Sequence, residues 1–152
     1  MDKPLGGRSI LIVEDDIVLA TDLAALLTEA GCKAVLPTTS VASALSTIVH
    51  YVVDGAILDV NVQNEWVFPV AHALAAARVP FLFLTAYAPD SIPPEHRERP
   101  LFRKPHAPGA LIGSLVQLLT HADAGPRLAT GDGEAVAPAN DEGKAEEPKR
   151  SA

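Results

Sequence analysis

The chain has 152 residues, a net charge of −7 and one cysteine, Cys32. Its length suits one domain of about 120 residues plus an extension, and its acidic balance excludes the clustered Lys and Arg with which a nucleic-acid-binding surface displaces counterions. No stretch reaches the roughly 18 consecutive apolar residues of a membrane span, and no signal-peptide pattern opens the chain, so a cytoplasmic protein with no membrane partner is expected; a lone cysteine offers neither an internal disulfide nor a cysteine-based metal site.

Strand and helix periods alternate along the chain. Residues 9 to 14 read as a buried strand, and Leu19, Leu23, Leu26, Leu27 and Ala30 then recur at helical spacing until Gly31 supplies a stop, with Asp16 placed to cap the start. A strand at 33 to 37 precedes a helix that Ser40 can cap, with Ala44, Leu45, Ile48 and Val49 as its inner stripe. The third strand, 55 to 59, leads through a polar loop to an Ala- and Val-rich helix near 67 to 78. The fourth strand is Pro80 to Thr85. The following Pro89-Asp90-Ser91-Ile92-Pro93-Pro94 allows only a short helix, starting near Pro93 or Pro94 and ending by Arg99, because proline removes an amide donor and restricts its predecessor. A brief fifth strand, 101 to 103, leads to a last helix from about Pro108 to Thr120, with Leu111, Leu115, Leu118 and Leu119 inward. Five strand-then-helix units predict an α/β, doubly wound parallel sheet with five helices.

From His121 onward the composition changes to Ala, Gly, Pro, Asp, Glu and Lys with no aromatic residue. Such a segment buries too little apolar area to offset its ordering entropy, so the domain is assigned to 1–120 and a disordered tail to 121–152. The five histidines show no spacing that suggests a metal site.

In an open parallel sheet the carboxyl ends of all strands converge on one crevice, where ligands bind. Here those ends carry Glu14-Asp15-Asp16, Asp59, Thr85 and Lys104. Two unit charges about 5 Å apart at an effective dielectric of about 20 repel by about 3 kcal/mol, and one lysine cannot balance three carboxylates. A hard divalent cation can, and all-oxygen ligation suits Mg²⁺ or Mn²⁺ better than zinc. Each feature alone has an ordinary reading: helix capping, a strand stop, a strand residue, a solvated charge. Their occurrence together, in order, on four strand ends is the informative observation.

The series Ile-Val-Glu-Asp-Asp, Leu-Asp-Val-Asn, Leu-Thr-Ala and Lys-Pro resembles the receiver domain of bacterial two-component response regulators over residues 8 to about 120. Asp59-Val60-Asn61, Val67-Phe68-Pro69-Val70-Ala71, the run Pro80 to Tyr87 and Arg103-Lys104-Pro105 are further similar to the stand-alone FAT GUY branch, from which Leu84 and Ala86 depart. The resemblance implies a flavodoxin-like sheet of order 2-1-3-4-5 and a phosphoacceptor signalling protein rather than an enzyme in the usual sense. It implies that Asp59 accepts a phosphoryl group from a sensor histidine kinase or a histidine phosphotransfer protein. Asp15 would bind Mg²⁺ (or Mn²⁺) directly and Glu14 through water, with Asp59 and the Asn61 carbonyl as further ligands. Thr85, the Ala86 amide and Lys104 would contact the phosphoryl group, and the Lys104-Pro105 bond would be cis.

Leu101 stands where many receivers carry an aromatic switch residue, and Tyr87 either replaces that switch, gates water or merely covers the pocket rim. Trp66 can shield the site or sit incidentally at the surface, and Asn64 occupies a turn where the family commonly has glycine. Two other readings stand beside phosphotransfer. One is a phosphorylation-independent adaptor on the same fold. The other is a flavin or nucleotide binder, disfavoured because the acidic turn at 14 to 16 repels phosphate.

Overall fold

Apolar runs bounded by turn residues become strands here because both of their faces are covered. In the computed structural model, which describes residues 3–86, 89–104 and 108–130, strands β1 (Ser9–Val13), β2 (Ala34–Thr38) and β3 (Gly55–Asp59) are followed by two short strands, β4 (Asn61–Val62) and β5 (Glu65–Trp66), and then by β6 (Phe81–Thr85) and β7 (Leu101–Arg103). The helices are α1 (Ile17–Glu29), α2 (Val41–His50), α3 (Phe68–Ala76) and α4 (Pro108–Thr130). The five longer strands form one sheet, ordered β2-β1-β3-β6-β7, with every neighbouring pair parallel. Numbered among themselves, these strands have the order 2-1-3-4-5 expected from the resemblance.

The alternation of side chains along each strand divides the core into two layers. Leu11, Val13, Ala56, Leu58, Phe81 and Phe83 pack with Val41, Ala44, Val70, Ala71 and Leu74 on the α2–α3 face. Ile10, Ile12, Ile57, Leu82 and Leu84 pack with Leu23, Leu27, Leu111, Leu115 and Leu119 on the α1–α4 face. β2 is an edge strand, half-buried over Ala34, Val35 and Leu36, and its Pro37 is exposed, where a missing amide donor can be accommodated.

Local chemistry sets the helix ends. Asp16 Oδ1 accepts hydrogen bonds from the Val18 and Leu19 amides at 3.0 and 3.2 Å, and Ser40 Oγ accepts from the Ser43 amide at 3.0 Å, the two caps that the sequence suggested. Gly31, after α1, has φ +99°, and a Cβ there would strike the Lys3 side chain, so both the conformation and the space require glycine.

Three expectations are corrected. The helix expected between Pro93 and Arg99 is replaced by two 3₁₀ turns, Pro89–Ser91 and Pro94–His96, so four α-helices, not five, occur among the described residues. Three prolines without amide donors leave too few backbone bonds for a full α-helical turn. Val49 is exposed rather than inward, on the flank of the stripe whose packed members are Val41, Ala44, Leu45 and Ile48. Finally, α4 runs to Thr130, past the end near Thr120 expected for the last helix. Low hydrophobicity argues against a packed core but not against helix: Ala122, Ala124, Leu128 and Ala129 are strong helix formers, and lengthening a nucleated helix orders one residue for each bond gained. By compactness the chain divides into Met1–Leu119 and Thr120–Ala152. The remainder of the expected tail, 131–152, lies outside the described residues, as do Tyr87 and Pro105.

Candidate functional site

The carboxyl ends of β1, β3, β6 and β7 carry, in turn, Glu14 and Asp15, Asp59, Thr85 and Lys104. The Glu14 amide donates to the Thr38 carbonyl at 3.0 Å, prolonging the β1–β2 ladder by one residue. The Asp16 amide donates to Glu14 Oε2 at 3.0 Å, and Glu14 is only 1% exposed. Asp15, the next residue, is exposed. One strand end thus presents a buried and a solvated carboxylate side by side.

Asp59 closes β3 and is 6% exposed. The parallel register sets it opposite Leu84, so Thr85 lies one residue further along the neighbouring strand. Thr85 is fully buried. Its carbonyl accepts from the Lys104 amide at 2.8 Å, which continues the β6–β7 pairing and fixes where the lysine stem starts. Ala86 follows at the exposed rim.

From that anchor the Lys104 ammonium spans the two buried acids. Nζ lies 3.0 Å from Asp59 Oδ2, with which it hydrogen-bonds, and 3.2 Å from Glu14 Oε2, again as a donor. It is also 2.9 Å from Glu14 Oε1, as an ion pair without hydrogen-bond alignment. Burial by itself would lower the lysine pKa, but the hydrogen bonds to Glu14 and Asp59 and the charges of both carboxylates outweigh it, and the net shift is upward. Glu14 moves upward as well. Burial is the main cause and the Asp59 charge adds to it, against the lowering effects of the Lys104 and Asp16 hydrogen bonds and of the Lys104 charge.

The polar loop after β3 is a hairpin that the sequence did not reveal. Asn61 pairs with Trp66 and Val62 with Glu65, while Gln63 and Asn64, at φ 51° and 64°, make the two-residue turn. Two successive left-handed residues match the twist of a tight hairpin, and Asn64 has the positive φ that its place in the family suggested. The Gln63 amide donates to Asp15 Oδ2 at 2.8 Å, so the hairpin holds the exposed acid. The Asn61 amide donates to Asp59 Oδ1 at 3.3 Å. Besides the resemblance, which put Asn64 in a turn, the polar pair Gln-Asn between two short segments was the sequence signal for this hairpin. Trp66 is exposed and stacks on Phe68, ring centroids 5.9 Å apart.

One carboxylate oxygen from each of Glu14, Asp15 and Asp59 lies within 4.8 Å of the other two. This donor set is all oxygen, one member faces solvent, and the buried Glu14 Oε1 makes no hydrogen bond, leaving it able to accept one from a metal-bound water. These residues fit a hard, hydrated cation such as Mg²⁺. The expected site residues that the structure brings together are therefore Glu14, Asp15, Asp59, Asn61, Thr85 and Lys104, with Ala86 beside them.

No family model and no curated protein matches the sequence. Solved structures do. The chain is 35% identical to SdrG from Sphingomonas melonis Fr1, with a TM-score of 0.62, covering 74% of this chain and 97% of that one. The BeF3-activated conformation of SdrG from Pseudomonas melonis Fr1 matches at 36% identity and TM-score 0.61, covering 75% and 98%. A response regulator receiver protein from Sinorhizobium medicae WSM419, 23% identical with a TM-score of 0.67, covers 76% and 97% and shares the fold. Together with the strand order and the residues at the strand ends, these likenesses establish that the chain belongs to the response-regulator receiver family.

Proposed function

We propose that this protein is a cytoplasmic response regulator that accepts a phosphoryl group on Asp59 from a sensor histidine kinase or a histidine phosphotransfer protein, and relays the signal by protein contact or further phosphotransfer. The observation that carries the reading is the convergence of Glu14, Asp15 and Asp59 at the carboxyl edge of the sheet, with the Lys104 ammonium bridging Glu14 and Asp59. The existence of a BeF3-activated conformation of SdrG supports it, since BeF3 on a carboxylate resembles a bound phosphoryl group.

In the proposed reaction an Asp59 carboxylate oxygen attacks the phosphorus of a phosphohistidine. A P–O bond forms as the P–N bond breaks, and the leaving imidazole takes up a proton from solvent. A carboxylate is a weak nucleophile, so acceleration comes from alignment and from stabilising charge on the phosphoryl oxygens. Glu14, Asp15, Asp59 and the Asn61 carbonyl would hold Mg²⁺ or Mn²⁺, which when bound supplies positive charge to those oxygens. Lys104 keeps its proton at neutral pH, as its upward shift requires, and pairs with one phosphoryl oxygen by exchanging part of its contact with Asp59. The Thr85 hydroxyl and the Ala86 amide donate to the others. Holding Asn61 through Asp59 and Asp15 through Gln63 keeps the site's shape before phosphate arrives.

With Mg²⁺ and a phosphodonor, wild type is expected to gain one hydroxylamine-labile phosphate and Asp59→Asn none at the same rate. Equal labelling refutes the assignment, and partner binding that ignores labelling points to the adaptor reading. Tyr87 is proposed as the residue that reports phosphorylation. Tyr87→Ala is then expected to accept phosphate normally but to lose the phosphate-dependent change in partner affinity, and an unaltered change means that the tyrosine is only a cover.

A further inference from the structure

His96 closes the second 3₁₀ turn and is 3% exposed. Both of its ring nitrogens are buried without a hydrogen-bond partner. The ring is walled by Phe81 and Phe83, with centroids 5.8 and 6.3 Å away, and aromatic rings offer no strong acceptor. An imidazole without partners in such surroundings is unfavourable, and buried polar groups of this kind call for an explanation. Two further ligand-bearing side chains, both exposed, stand beside it. The His72 ring, from α3, is centred 5.0 Å from that of His96, and His72 Nε2 is 3.6 Å from Glu95 Oε2. One ligand atom from each of His72, Glu95 and His96 lies within 4.8 Å of the other two.

We propose that His72, Glu95 and His96 bind a borderline divalent cation of the zinc class, at a site separate from the carboxylate crevice. Two imidazoles and one carboxylate are a zinc donor set with a fourth position left for water, whereas magnesium favours oxygen alone. Bonds of about 2.0–2.1 Å in a tetrahedron place ligand atoms about 3.3 Å apart, so from separations within 4.8 Å no pair need close by more than about 1.5 Å. His72 and Glu95, with side chains 59% and 52% exposed, can supply that movement by rotation while His96 stays fixed in the core. The Glu95 carboxylate contributes negative charge, and the Arg99 guanidinium, 4.2 Å from the centre of the Phe81 ring, is the nearby cation that opposes binding. Because neither His96 ring nitrogen is engaged in a hydrogen bond, the imidazole has a lone pair to offer as a ligand. The ion ties α3 to the Pro94–His96 turn, bracing the segment that replaces an α-helix between β6 and β7. Spacing in the sequence could not disclose this site, because its ligands come from two elements and only Glu95 and His96 are neighbours.

The test titrates the full chain with zinc chloride, and in parallel with cobalt(II) chloride, in excess Mg²⁺ so that the carboxylate crevice is occupied by the harder ion. One zinc per chain is expected, with a visible tetrahedral cobalt band and a rise in melting temperature that grows with free zinc. His72→Ala changes an exposed residue and should fold normally, yet bind zinc at least about tenfold more weakly, with Glu95→Gln intermediate. Imidazole nitrogen NMR of wild type is expected to show the His96 ring signals shifting with zinc. Wild type that binds no zinc, a His72→Ala variant with wild-type affinity, or unmoved His96 ring signals would each overturn the proposal.

Discussion

Removing the ammonium that joins the two buried acids should expose the electrostatic balance of the site. In Lys104→Met the aliphatic stem is retained and the charge is lost. Nζ lies 2.9 Å from Glu14 Oε1 and 3.0 Å from Asp59 Oδ2, and at an effective dielectric of about 20 each contact represents a gross attraction of about 5–6 kcal/mol. Most of that is offset by the cost of burying the charges, and removing one partner of a buried ionic group typically costs a net 3–5 kcal/mol. The lysine side chain is 24% exposed, so the lower end, about 3 kcal/mol or roughly 10 °C in Tm for a domain of this size, is the expected loss at neutral pH.

The pH dependence has a definite sign. Glu14 already lies above its ordinary range in wild type, through burial first, and without Lys104 it rises further. A carboxyl whose folded pKa exceeds its unfolded value binds more protons when folded, so stability falls as pH rises between the two values and recovers as pH drops toward the unfolded one. The deficit of Lys104→Met relative to wild type should therefore shrink between about pH 7 and pH 5. Millimolar Mg²⁺ should shrink it too, because a bound cation replaces the missing positive charge, and the variant should bind Mg²⁺ more tightly than wild type. Thermal melts followed by circular dichroism, at both pH values and with and without Mg²⁺, decide the matter. A deficit under about 1 kcal/mol at neutral pH, or one that is equal at both pH values and unaffected by Mg²⁺, would show that Lys104 does not balance these carboxylates.

Asp15→Asn removes the one exposed carboxylate of the cluster, and the Tm increase produced by Mg²⁺ should fall well below that of wild type; identical Mg²⁺ titrations would place the ion elsewhere. Deleting residues 131–152, whose composition predicts disorder, should leave Tm and the rate of phosphate acceptance at Asp59 nearly unchanged, and a loss of several degrees would show that this segment docks.

Much of the fold was legible because a parallel sheet covered on both faces demands continuous apolar strands, and Ile10-Leu11-Ile12-Val13 or Phe81-Leu82-Phe83-Leu84 can satisfy no other surroundings so well. The caps at Asp16 and Ser40 were legible for a local reason, since a side-chain acceptor within three residues of a free amide needs no tertiary help. The residues of the crevice followed from topology, because parallel strands deliver their carboxyl ends to one edge. Their pairing did not. That Lys104 bridges Glu14 and Asp59 while Asp15 is held by the Gln63 amide depends on ångström-scale positions of loops from different elements, and sequence spacing contains no such distances. The 3₁₀ turns at 89–96 and the exposure of Val49 are outcomes of competition between donor loss, helix phase and neighbouring surface. The meeting of His72 with Glu95 and His96 exists only because α3 and the second 3₁₀ turn pack against one another in the folded domain. Local propensity decides what each segment can be, and three-dimensional packing alone decides which polar groups share a site.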